Sequence, residues 1–187
     1  MPADDIYGVL TQLGSLLRAE SRAESGLQPV QVQVLHYLSI CNRYSDTPAA
    51  VADYLGLTKG TVSQTLRVLA ESGWVDKAAD PDDGRVVHLK LTRSGEKRLG
   101  GVAPPRVLED AVGRLTAAEQ ERTRDALLRL LRGLQQSNGG LTFGVCHTCS
   151  HFRTKAPGKF RCGLTEEPLA VRETRLICRE HLVSAMR

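Results

Sequence analysis

Apolar positions recur at helical spacing along most of the chain, and the interruptions divide it into elements. From Asp5 to Ser25 the apolar residues are Ile6, Leu10, Leu13, Leu16 and Leu17, with Arg and Glu on the far side toward the end, so an amphipathic helix is expected. Gln28 and Pro29 open a second helix in which Val34, Leu35, Leu38 and Cys41 share a face. Cys41 is therefore expected as a packed core thiol, and His36, off that stripe, as a residue of the helix surface or of a ligand pocket. Thr47 is a natural N-cap for a short helix starting at Pro48, with Val51, Ala52 and Leu55 inward and Gly56 as its left-handed stop. Thr58 caps the next helix, whose buried stripe is Val62, Leu66 and Leu69 and which ends at Gly73 and Trp74.

The period then changes from helical to alternating. Val75 to Asp80 can form a strand, Asp80-Pro81-Asp82-Asp83-Gly84-Arg85 is dense in turn formers, and Val87, Leu89 and Leu91 alternate with His88 and Lys90 in a half-buried return strand. Thr92 can cap a further helix through Glu96, Arg98 and Leu99, which Gly100, Gly101, Pro104 and Pro105 interrupt. Helical spacing resumes from Arg106 to Leu115. Thr116 and Glu119 form a capping box for a last helix with Leu127, Leu130, Leu131 and Leu134 as its stripe, ended by Asn138-Gly139-Gly140.

Thr47 to Thr92 thus reads as two helices joined by a tight turn, with a hairpin directly behind the second. The outer face of that second helix carries Thr58, Lys59, Thr61, Ser63, Gln64 and Arg67, several donors and no large apolar group. A polar helix face is usually only a solvated one. Here the hairpin shifts the reading toward a helix-turn-helix that lays its second helix in a DNA major groove. Arg85 near the hairpin tip can reach a minor groove while Asp80 or Asp83 pairs with its guanidinium and fixes its direction.

With Asp80-Pro81-x-Asp83-x-Arg85 followed by Leu89-x-Leu91-Thr92-x-x-Gly95, this stretch resembles the winged-helix domain of MarR-type transcriptional regulators, and the resemblance extends over about residues 5 to 138. It implies a mainly α fold with a small β-wing, Thr58, Lys59, Thr61, Ser63, Gln64 and Arg67 facing DNA, and Arg85 at the minor groove. It also implies that the first and last helices of the regulator part pair across a two-fold axis to make a homodimer that reads a palindrome. Two departures stand out: Gly84 replaces an Arg that many relatives carry, and the break at Gly100 to Pro105 interrupts what is usually one long connecting helix.

Composition is that of an ordinary globular protein, and 187 residues suffice for one domain with a sizeable core and a small appendage. No apolar run is long enough to span a membrane and the start Met1-Pro2-Ala3-Asp4-Asp5 is acidic where a signal peptide would be basic, so a cytoplasmic protein without a membrane partner is expected. The net charge of +4 does not mark the DNA-reading part. The segment from Leu141 onward holds eight Lys and Arg against four Asp and Glu, leaving 17 of each before it. Any grip on DNA must come from where the cations stand rather than from bulk charge.

Beyond Gly139 and Gly140 the composition changes, dividing the chain into a regulator part, 1–140, and a cysteine-rich segment, 141–187. Cys146, Cys149, Cys162 and Cys178 fall here, with His147, His151 and His181 as alternates. Such a cluster in a reducing compartment more often binds metal than forms disulfides. A C-x2-C turn with two further thiolates can complete a tetrahedral zinc site or hold a 2Fe-2S cluster, and free thiols used as a redox switch are the third reading. A segment with three aromatics buries little core, which suits a structural zinc; a regulator gains more from a sensor, which tilts the expectation toward iron-sulfur.

The expected function is a homodimeric DNA-binding regulator, a repressor by preference, whose affinity the cysteine centre modulates. A second reading makes the tail a structural zinc knot and places sensing of a small aromatic effector in a pocket of the dimer helices. A third is an interaction or electron-transfer module without DNA. An enzyme is not expected, because no nucleophile and base stand at a telling spacing and no glycine loop would cradle phosphate.

Overall fold

The computed structural model describes residues 2–137 and 140–183. Seven α-helices occur among them: α1 Pro2–Ser25, α2 Pro29–Ile40, α3 Pro48–Leu55, α4 Lys59–Glu71, α5 Arg93–Gly100, α6 Arg106–Gly113 and α7 Ala117–Ser137. Between α4 and α5 lies an antiparallel hairpin, β1 Val75–Ala79 with β2 Val87–Leu91, in a register that sets Val75 opposite Leu91 and Lys77 opposite Leu89. The C-terminal segment adds an antiparallel meander, β3 Phe152–Ala156, β4 Lys159–Cys162 and β5 Pro168–Leu169.

The caps sit where the side-chain chemistry puts them. Thr47, Thr58 and Thr92 each accept a hydrogen bond from the amide three residues on, satisfying a donor that has no partner within the helix. Gly56 ends α3 with φ 63°, a conformation that costs a residue with a Cβ about 1–2 kcal/mol. Thr116 and Glu119 form their reciprocal box ahead of α7: the Thr116 amide donates to the Glu119 carboxylate at 2.8 Å and the Glu119 amide to Thr116 Oγ1 at 3.4 Å.

The core joins Val34, Leu35 and Tyr37 of α2 to Ala50 and Val51 of α3, Val62, Leu66 and Leu69 of α4, and Val75 and Leu89 of the hairpin. Each such aliphatic side chain contributes about 1.5–3 kcal/mol through burial. Tyr37 is wholly buried with its hydroxyl donating to the Ser45 carbonyl at 2.6 Å, so the polar end of a large ring is satisfied inside. Cys41 is buried as well, and burial pushes its thiol up to about 12.

The outer helices behave differently. Along α1, α6 and α7 the apolar stripes stay open to solvent, including Val9, Leu16 and Leu134, each more than half exposed, and no described residue of α6 or α7 is buried. The leucine stripe of α7 is not core of the single chain.

The cysteine-rich segment is packed against α2, α3 and the loop between them. Phe143 joins the core at ring distances of 5.2 Å from Tyr54 and 6.2 Å from Tyr37. Ile177 bridges the backbone at the end of α2, donating to the Ile40 carbonyl and accepting from the Asn42 amide, both at 2.9 Å. Arg43 reaches Glu173 at 2.7 Å and Glu167 at 3.1 Å, and Arg179 reaches Asp53 of α3 at 2.7 Å.

Candidate nucleic-acid interface and cysteine cavity

α4 turns Thr58, Lys59, Thr61, Ser63, Gln64 and Arg67 to solvent while Val62, Leu66 and Leu69 face inward, as the helical period requires. Arg67 has Glu71 one turn on, at 4.0 Å, a loose surface pair that leaves the guanidinium available. A groove of about 490 Å³ runs between α4 and the hairpin, with Lys59, Ser63, Lys77 and Arg85 on its walls. Lys77 was not among the residues singled out from sequence. Its signal was the alternation of β1, which places it on the same strand face as buried Val75 but one step beyond the core.

At the hairpin tip the roles of the two aspartates separate. Asp83 holds Arg85 with both carboxylate oxygens, accepting from Nε at 2.9 Å and from Nη2 at 2.8 Å, and this pairing lowers the Asp83 pKa and raises that of Arg85. The Arg85 side chain is nonetheless 90% exposed. Asp80 does not pair with Arg85. It ties the turn, accepting from the Asp82 and Asp83 amides at 2.8 Å each, and its other oxygen lies 2.9 Å from His88 Nε2.

His88 Nδ1 in turn lies 2.5 Å from Asp46, the residue before the α3 cap. The two carboxylates, Asp46 first, raise the His88 pKa against a smaller opposing effect of burial. Their own shifts run in opposite directions. Burial lifts the Asp46 carboxyl further than His88 lowers it, whereas Asp80 is lowered by its bond to His88 and by the turn amides. This bracket, invisible in the strand alternation of β2, locks the hairpin to the start of the helix-turn-helix.

Cys146, Cys149, Cys162 and Cys178 line one small cavity of about 30 Å³, together with His151 and Asn42. A single 3-10 turn, Cys146–Thr148, brings the first two together, β4 ends on Cys162, and the Cys178 amide donates to the Gly144 carbonyl at 3.0 Å. Backbone amides point at the sulfurs: those of His151 and Leu182 reach Cys149 Sγ at 3.5 and 3.4 Å. Burial, and then the other three cysteines, push the Cys146 thiol up to about 11. All five cysteines of the chain are free thiols. Among the described residues, no group of three or more His, Cys, Asp or Glu side chains stands as a ready-made metal shell. The donor set nevertheless fits a thiophilic ion: four cysteine sulfurs line one space small enough for a single ion.

The three histidines separate. His151 lines the cavity. His147 Nδ1 lies 3.0 Å from the Thr174 carbonyl, and His181 is buried with its ring nitrogens at 2.6 Å from Thr142 Oγ1 and 3.0 Å from Thr148 Oγ1, so both are held in structural hydrogen bonds. His36 lies on a separate crevice of about 360 Å³ between α1, α2 and α6, with Leu17, Val32 and Leu108.

A helix-turn-helix with a hairpin wing, set among longer helices with unburied apolar stripes, is a winged-helix fold, similar to that of MarR-type structures. The model of the MarR family matches residues 25–86. The transcriptional repressor MprA of Escherichia coli (strain K12) is 25% identical over 113 residues, 59% of this chain and 64% of that protein, so the chain spans somewhat under two thirds of this curated relative. Among solved structures, a crystal structure of MarR is 28% identical with a TM-score of 0.60, covering 71% of this chain and 92% of that one. The S. aureus MepR-DNA complex is 22% identical with a TM-score of 0.56, covering 72% and 99%, and supports the fold.

Proposed function

We propose that the chain is a DNA-binding transcriptional regulator, acting as a repressor, that reads a two-fold operator as a homodimer. The observation that carries this reading is the pairing of an outward polar face on α4 with a wing tip whose Arg85 is aimed by Asp83 yet open to solvent. α4 enters the major groove with Lys59, Thr61, Ser63, Gln64 and Arg67, Thr58 closes its N-terminus, and Arg85 reaches the adjacent minor groove. The match to the MarR family model, and a relative named as a repressor, support it. A second copy of the chain is the occupant of the open stripes on α1, α6 and α7, since two such apolar faces bury each other. Selection from a pool of random duplexes tests the reading. Enrichment of a two-fold symmetric sequence with half-sites about one helical turn apart is expected, and no enrichment even at low salt refutes it.

The same reading makes the cysteine cavity a metal centre. Cys146, Cys149, Cys162 and Cys178 are the ligands, with His151 as the nearest alternate, and the ion neutralises thiolates that would otherwise repel one another. A space of about 30 Å³ suits a single zinc ion better than a 2Fe-2S cluster, and on that observation zinc takes precedence over iron-sulfur. Protein purified without oxygen is expected to be colourless with one zinc per chain. Visible absorption with iron and sulfide would establish the cluster instead, and neither metal would leave a thiol switch. The crevice beside His36 is where a small aromatic effector would bind if sensing lies there; unaltered operator affinity across a panel of phenols would remove that role.

A further inference from the structure

Asn42 and Ser45 are nearly or wholly inaccessible to solvent, on a loop that leads from α2 into the helix-turn-helix. Buried polar side chains are there because something satisfies them. Asn42 Oδ1 accepts from Ser45 Oγ at 2.8 Å and from the Tyr44 amide at 3.2 Å, and Ser45 Oγ accepts from the Arg179 amide at 2.8 Å. Asn42 also forms part of the cavity wall beside Cys178, and both side chains are hydrogen-bond partners of the Cys178 sulfur.

Cys178 is thus seated on the reader rather than on the tail alone. Its neighbours on either side are pinned to the same loop: Ile177 by two backbone hydrogen bonds to Ile40 and Asn42, Arg179 by Ser45 and by its ion pair with Asp53. One residue past Ser45, the Asp46 carbonyl accepts from the Leu89 amide at 2.7 Å, and its carboxylate meets His88. From His88 the contacts run to Asp80, the turn amides, Asp83 and Arg85. Hydrogen bonds, together with the covalent step from Ser45 to Asp46, join the loop beside the fourth cysteine to the wing.

We infer that Asn42 and Ser45 are outer-shell positioning residues of the cysteine centre, and that through the 42–46 loop a metal held there keeps the wing in its DNA-reading position. This rests on the metal reading above. Outer-shell donors orient a ligand and tune its affinity for metal, so a carboxylate beside the Cys178 sulfur opposes the thiolate that the metal needs. Because binding couplings are reciprocal, DNA must tighten metal binding by the same factor by which metal tightens DNA binding.

The test uses the full-length protein, zinc and a chelator of known zinc affinity, with a selected operator duplex. Wild type is expected to bind the duplex at least about fivefold more tightly with zinc than after chelation, and to hold zinc more tightly on DNA by the same ratio. Asn42→Asp should weaken zinc binding by about 10–100-fold. Asp46→Asn should keep its zinc while its ratio of DNA affinities with and without zinc falls to one. Hydrogen exchange of the wild type needs no variant: chelation should speed exchange at the Ser45 and Leu89 amides and leave Leu66 in α4 protected. A wild type that binds no metal overturns the metal reading and this inference with it. A wild type that binds zinc with equal DNA affinities, an Asn42→Asp that holds zinc unchanged, an Asp46→Asn with the wild-type ratio, or uniform loss of protection through α4 each overturns the inference while leaving the metal site standing.

Discussion

Phe143 ties the C-terminal segment to the reader, and its replacement gives a quantitative test of that union. The ring is buried at 7% exposure, edge-on to both Tyr54 and Tyr37. Truncating a buried Phe to Ala costs about 3–5 kcal/mol from lost burial and the cavity left behind. The backbone adds a second measurable effect, because Phe143 has φ 45°, a left-handed conformation that costs a residue with a Cβ about 1–2 kcal/mol. Phe143→Ala loses the ring and keeps the strain. Phe143→Gly loses the ring but relieves the strain, offset by about 0.5–1 kcal/mol for glycine's greater freedom when unfolded. The glycine variant should therefore be as stable as the alanine variant or up to about 1.5 kcal/mol more stable. Trp74, the single tryptophan, lies at the end of α4 and reports on the reader. In urea, with a slope of about 1–3 kcal/mol per molar, its fluorescence midpoint should fall by about 1–5 M for Phe143→Ala. A Trp74 midpoint that does not move would mean that the reader folds without the segment, and a glycine variant clearly worse than alanine would refute the strain argument.

Arg85→Ala should weaken DNA binding to all sequences and lower the salt dependence of log K by about one phosphate's worth, measured by titrating salt in a fluorescence-anisotropy assay. His88 has its pKa raised by Asp46 and Asp80, so the stability it adds to the hairpin is complete below the unfolded value near 6.5 and is lost as pH rises through the higher folded value. Thermal melts over that window should show a decline that His88→Gln abolishes, and an equal decline in both proteins would assign it to another group. Gly95→Ala would drive a methyl group into the Trp74 carbonyl and against Leu91, so its melting temperature should fall by several degrees, whereas Gly84→Ala, with open space at its Cβ, should be nearly neutral.

Local features were the legible ones. Thr47, Thr58 and Thr92 as caps, Gly56 as a stop and the stripe Val62, Leu66 and Leu69 can be read because cap chemistry and helical period act over a few residues. An aspartate partner for Arg85 could be read from spacing, but Asp80 and Asp83 could not be told apart, because their roles depend on His88 crossing from the return strand. The α7 leucine stripe by itself carries no mark of whether it faces its own chain or another, and only the family resemblance pointed to a partner helix. Least legible was the seat of the cysteine segment. Nothing in a C-x2-C spacing tells that Cys178 will rest on Asn42 and Ser45, or that Phe143 will enter the reader's core, because those contacts join residues far apart in sequence. Lys77 was hidden by its own strand, where a charge at a core-facing position reads as an error until the groove is seen.

The loop that receives Ile177 and Arg179 has a consequence for the order in which the protein is made. Ser45 and its partner Arg179 are 134 residues apart, so at about 5–20 residues per second the loop waits roughly 7–27 s in a growing chain before that partner exists. During that interval the Ser45 hydroxyl can donate to Asn42 but has no Arg179 amide to accept from. A segment made well after the loop thus completes the entrance to the first helix of the reader.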